Sequence, residues 1–138
     1  MPSRCSNPRL SKPITMHTPK LIQMIEHLVA EPSVSSVSPE WDQPNIRVID
    51  ILAEWFSALG FNIEKLPVPG CPGKFNLIAS AGSGPEGLVL SGHTDTVPFD
   101  EHRWSSDPFK LSQQDDRLYG LGTADMKSFF ALVLEAVR

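Results

Sequence analysis

At 138 residues, with 41% hydrophobic and 20% charged side chains, the chain has enough apolar content for one domain with a core. A net charge of −4 gives no broad basic field, which argues against nucleic acid as the main partner. No apolar run approaches the roughly 20 residues of a membrane span, so no membrane partner is expected. Cys5 and Cys71 lie far apart and lack Cys-x-x-Cys spacing, which predicts two free thiols in a reducing, cytoplasmic setting.

Residues 1–17 carry Arg4, Arg9 and Lys12 without the apolar segment of a secretory signal, and read as a disordered extension. Thr18-Pro19 is a helix start, an N-cap followed by proline at the first helical position. Leu21, Ile22, Ile25, Leu28 and Val29 then fall on one helical face. The proline- and serine-rich stretch from Glu31 to Gln43 predicts a loop. Ile46, Ile49, Leu52, Phe56 and Leu59 give a second helix, stopped at Gly60.

Phe61 to Leu66 alternates apolar and polar residues, as a half-buried strand does. Phe75 to Ala81 and Leu88 to Ser91 predict two apolar strands joined by a turn over Gly82–Gly87. Gly82, Gly84 and Gly87 match the spacing of a dinucleotide fingerprint. That motif needs a helix opening inside it, whereas here a strand follows and Pro85 sits in the middle. Trp104 and Phe109 are expected to pin the long loop after Pro98. A last helix from about Met126 is apolar nearly all round and should be buried. The order helix, helix, strand, strand, strand, helix predicts a layered α/β domain with a mixed or parallel central sheet flanked by helices. Such a sheet needs further cover, so the chain reads as the front, incomplete part of a longer enzyme.

Three residues carry the chemistry. His93 and Asp95, two apart on extended backbone at the end of an apolar strand, project to one side. Asp95 can bond one imidazole nitrogen and leave the other free for a metal. Gly92 removes a side chain directly before His93 and allows close approach. Asp125, after the small-residue turn Gly120-Leu121-Gly122-Thr123-Ala124, can bridge two cations with its two oxygens. The bland readings stay open on spacing alone: a structural loop histidine, and an aspartate that caps the last helix. His27 and His102 read as solvated, and Asp100, Glu101, Asp107, Asp115 and Asp116 as loop charges. Lys127 has no assigned role.

His93-Thr94-Asp95-Thr96-Val97-Pro98, then Trp104, Asp107-Pro108-Phe109, and Leu118 through Lys127 resemble the dimetal aminoacylase/carboxypeptidase family of zinc peptidases. The similarity runs from about Thr18 to Arg138 and is dense from Phe75 onward. It implies that residues 18–138 are the N-terminal part of the catalytic domain, with a dimerisation domain elsewhere and a homodimer as the assembly. It further implies that His93 ligates one of two divalent ions, zinc or cobalt, that Asp125 bridges both, and that Asp95 holds His93. The peptide bond after the bridging aspartate is typically cis in this family, which carries over to Asp125–Met126. The glycine usual after Asp-Met-Lys is here Ser128. The general-base glutamate and remaining ligands are expected beyond residue 138, so these 138 residues alone should bind metal weakly and not catalyse.

Thr96, Phe99-Asp100 and the Tyr119-to-Thr123 wording narrow the implied activity to hydrolysis of a small N-acyl amino acid, N-acetyl-L-ornithine, in arginine biosynthesis. Desuccinylases, dipeptidases and carboxypeptidases of the same family are the nearest alternatives. A non-catalytic truncated paralogue is the alternative of a different class.

Overall fold

A computed structural model describes residues 19–138; the expected extension over residues 1–17, Cys5 and the Thr18 cap lie outside the described residues. In chain order the elements are α1 (Leu21–Ala30), α2 (Ile46–Ala58), β1 (Asn62–Pro67) and β2 (Phe75–Ser80). A 3-10 turn (Glu101–Arg103), β3 (Ser112–Gln114), β4 (Arg117–Tyr119) and α3 (Lys127–Val137) follow. The α/β class expected from the sequence is the one found.

Helix α1 begins at Leu21 behind Lys20, whose N–H donates to Gln23 Oε1 at 3.1 Å, so Pro19 precedes the cap and is not inside the helix. Helix α2 ends as the sequence predicts. Gly60 takes φ +86° and donates its N–H to Ser57 O, while Phe61 N–H reaches back to Phe56 O. That left-handed residue closes the helix at low steric cost. The helices build one core from Met24, Leu28, Val48, Leu52, Ala131 and Leu134, all essentially buried. Helix α1 packs on α3, and α2 lies across the β1–β2 hairpin.

The sheet departs from expectation. Strand β2 pairs antiparallel with β1, Asn62 facing Ser80, and β3 pairs antiparallel with β4. Among the described residues the parallel element is a single bridge between Val34 and Thr96. Leu88–Ser91 is not a strand, and Leu88, Val89 and Leu90 are 82%, 88% and 50% exposed. The glycine-rich stretch before it therefore joins no hairpin. The physical reason is the backbone: a strand forms where a neighbour takes its N–H and C=O groups. Strand β2 pairs with β1 on one edge, and among the described residues no strand pairs with Leu88–Ser91.

Helix α3 also differs. Lys127, Ala131 and Leu134 form its buried stripe, while Leu132 and Val137 are 54% and 42% exposed. It is buried along one face, not all round. The β3–β4 hairpin was not expected at all. Asp115 and Asp116, read as loop charges, are its turn residues at φ 50° and 58°. Both positive angles are what a two-residue hairpin of the primed type requires, and aspartate tolerates them better than most side chains. The aromatic pinning of the long loop is present: Phe99 meets Trp104 at 6.4 Å and Phe109 at 5.4 Å between ring centroids.

Lys127, without a role in the sequence reading, is fully buried, and its Nζ donates to Glu31 O at 2.6 Å. Burial pushes its pKa down from 10.5 to about 8, against the attraction of the Glu31 carboxylate. Below that pH the buried charge costs on the order of 3 kcal/mol. Between pH 8 and 10.5 the unfolded chain keeps a proton that the folded chain has shed, so this residue makes stability rise with pH across that window. Lys127→Met should remove that rise; chemical denaturation at pH 7.5 and pH 10 measures it, and a variant whose pH slope matches the wild type contradicts it.

Candidate metal centre

Two separate segments meet at the site. The first is the run from Ser91 to Thr96. A Cβ on Gly92 would stand 2.8 Å from Met126 Cε, the end of a flexible side chain, and 3.0 Å from Phe129 Cδ1. The close approach expected from this glycine is thus to the start of α3. Behind His93, the Ser33 hydroxyl donates to Thr94 O at 2.7 Å, and Thr96 N–H donates to Ser33 O at 3.0 Å. Asn45 Nδ2 adds a bond to Thr94 Oγ1 at 3.1 Å while its amide also grips Phe75 at both backbone groups. The loop over residues 31–45, irregular as predicted, therefore fixes the backbone on both sides of Asp95.

The second segment is the turn from Gly120 to Met126. Gly122 takes φ +86°, and a Cβ on it would lie 3.1 Å from both Lys127 and Thr96 side chains. The Asp125–Met126 peptide bond is cis, as the family resemblance implies.

The structure brings His93, Asp95 and Asp125 together. His93 Nδ1 faces the Asp95 backbone oxygen at 3.1 Å, with the Asp95 carboxylate Oδ1 at 3.3 Å. The ring is therefore held first by the main chain, with the carboxylate beside it, where the sequence predicted the carboxylate alone. His93 Nε2 lies 2.9 Å from Asp125 Oδ1. Asp125 does not cap the helix. Met126 occupies the N-cap position without a side-chain cap bond, and the Asp125 side chain is 84% exposed. Its carboxylate is directed at the histidine.

With both ring nitrogens against oxygen acceptors, protonation of the imidazole is easier than for a free histidine. Partial burial pulls the His93 pKa down, but the Asp95 backbone oxygen and the Asp125 carboxylate outweigh it and raise it above 6.5. A recess of about 260 Å³ opens beside the pair, walled by Thr96, Val97, Trp104 and the Gly120–Asp125 turn. His27 and His102, expected to be solvated, are exposed; His27 stacks on Trp55 at 6.0 Å.

The donor set suits a divalent ion. An imidazole nitrogen whose ring is anchored through its other nitrogen, opposite an exposed carboxylate, is the nitrogen–oxygen chemistry that zinc takes. Among the described residues no group of three or more His, Cys, Asp or Glu gathers to hold a metal. Lys127, Ser33 and Asn45 were missed in the sequence. Lys127 had one signal, since it shares the i, i+4, i+7 stripe of α3 with Ala131 and Leu134.

Residues 89–138 match the sequence model of Peptidase family M20/M25/M40. The chain is 56% identical over 120 residues to the acetylornithine deacetylases of Salmonella arizonae and Salmonella newport, covering 87% of this chain and 31% of each relative. It thus spans about a third of the length of these curated relatives. The crystal structure of human carnosine dipeptidase 1 superposes with a TM-score of 0.71 at 26% identity, over 85% of this chain and 27% of that one. The fold is that of the front part of a zinc-peptidase-like catalytic domain. Over residues 89–138 the chain resembles Peptidase family M20/M25/M40, and over 120 residues it resembles a part of these relatives.

Proposed function

We propose that this chain contributes His93 and Asp125 as metal donors, and Asp95 as the group that holds His93, to a hydrolase that cleaves N-acetyl-L-ornithine to L-ornithine and acetate in arginine biosynthesis. The observation that carries the reading is the 2.9 Å approach of His93 Nε2 to Asp125 Oδ1, made while Nδ1 is held by Asp95. The substrate rests on the 56% identity to relatives named acetylornithine deacetylase. Two divalent ions, zinc or cobalt, would supply an acidified water and a polarised amide carbonyl when bound. This chain's part is to present the imidazole in a fixed orientation and the exposed Asp125 carboxylate beside it. The walls around Trp104 and the Gly120–Asp125 turn narrow access from solvent on one side. The full-length protein is a cytoplasmic homodimer in this reading, and these 138 residues alone bind metal weakly and do not hydrolyse the substrate.

The experiment is substrate competition in the full-length protein loaded with zinc or cobalt. N-acetyl-L-ornithine is expected to be turned over in preference to N-succinyl-diaminopimelate and to dipeptides. Preference for either competitor moves the assignment within the family, and no hydrolysis of any of them supports a non-catalytic paralogue.

A further inference from the structure

The two halves of the candidate site are not bonded to each other except through His93 and Asp125, yet both are bonded to the same short stretch of chain. Glu31 O accepts the hydrogen bond of Lys127 Nζ, two residues after Asp125, at 2.6 Å. Ser33, fully buried, holds Thr94 O through its hydroxyl at 2.7 Å and accepts Thr96 N–H at 3.0 Å. Ser35 N–H then donates to Thr96 O at 2.8 Å. The strap thus grips the His93 segment on either side of Asp95 and the Asp125 segment at the first residue of α3.

Simple packing would not require this. A buried lysine amine is expensive to desolvate, and an apolar side chain of the same length would fill the space. The amine earns its place by reaching a main-chain oxygen that no apolar group can hold. Ser33 likewise uses its hydroxyl on a carbonyl next to Asp95 and not on its own loop.

We infer that Glu31–Ser35 is a template that sets the separation of His93 and Asp125, with Lys127 and Ser33 as positioning residues at its two attachments. The inference rests on the metal-donor reading of that pair. Neither residue touches the recess as a donor, so each acts through the segment it holds.

Lys127→Met keeps the bulk of the side chain and loses the bond, Ser33→Ala loses the hydroxyl, and Ser33→Thr restores one. In the full-length protein, zinc Kd measured against a chromophoric chelator is expected to rise about 10- to 100-fold in the first two variants, as for partners that orient a ligand. Ser33→Thr recovers most of the loss. In the metal-free protein the ring nitrogen resonances of His93 shift in Lys127→Met and Ser33→Ala, while the thermal midpoint of Lys127→Met is not lowered. Wild-type His93 resonances with wild-type zinc affinity in both variants overturn the inference. So does a loss of affinity that tracks a lowered melting temperature in both, with Ser33→Thr no better than alanine. Failure of the metal-donor reading looks different: wild-type protein then binds no zinc through His93, and the metal-free resonances still decide whether the strap positions the pair.

Discussion

His93→Ala in the full-length protein is expected to slow hydrolysis of N-acetyl-L-ornithine on the order of a thousandfold, about 4 kcal/mol of barrier. The size follows from what the ring does. Its Nε2 faces Asp125 Oδ1 at 2.9 Å and its Nδ1 is held by Asp95, so nothing else among the described residues presents a neutral nitrogen donor at that place. Stability should change little, because the side chain is half exposed. Activity assays at saturating zinc, paired with thermal melts, separate the two effects. A variant that retains more than a tenth of wild-type activity removes His93 from the ligand set.

Asp125→Ala is expected to give a loss of similar size, and here the contrast with stability is sharper. If the carboxylate capped α3, alanine would cost about 1 kcal/mol of stability. Met126 holds the N-cap position, and Asp125 is 84% exposed with its oxygen on His93, so the expected change is within about 0.5 kcal/mol. Activity falls on the order of a thousandfold, again about 4 kcal/mol of barrier. Urea denaturation and the same assay read both numbers from one preparation. A destabilised variant with near-normal activity would restore the capping role.

The juxtaposition of His93 with Asp95 was legible because it is local. His93 and Asp95 are two positions apart, so extended backbone alone puts them on one side, and Gly92 announced a close approach that Met126 and Phe129 make. Helix α2 was legible for the same reason, its periodicity and Gly60 stop both being short-range. Most of the misses are non-local. Leu88–Ser91 has the composition of a buried strand, yet composition does not provide the neighbour that would pair it. Leu132 and Val137 on α3 are as apolar as Leu134, and only the packing of α1 decides which face is covered. Lys127 was given no role because its acceptor, Glu31 O, comes from the far side of the sequence. Asp115-Asp116 was a local signal misread: paired charges concealed a turn whose requirement is positive φ.

The proposed function comes down to one atomic statement: a divalent ion shared between this imidazole and this carboxylate. Anomalous diffraction at the zinc edge, from crystals of the full-length protein grown with zinc, tests it most directly. The expected result is a zinc peak bonded to His93 Nε2 and to an Asp125 carboxylate oxygen, with Nδ1 still on Asp95. A zinc peak elsewhere, with the His93 Nε2 to Asp125 hydrogen bond intact, would contradict it.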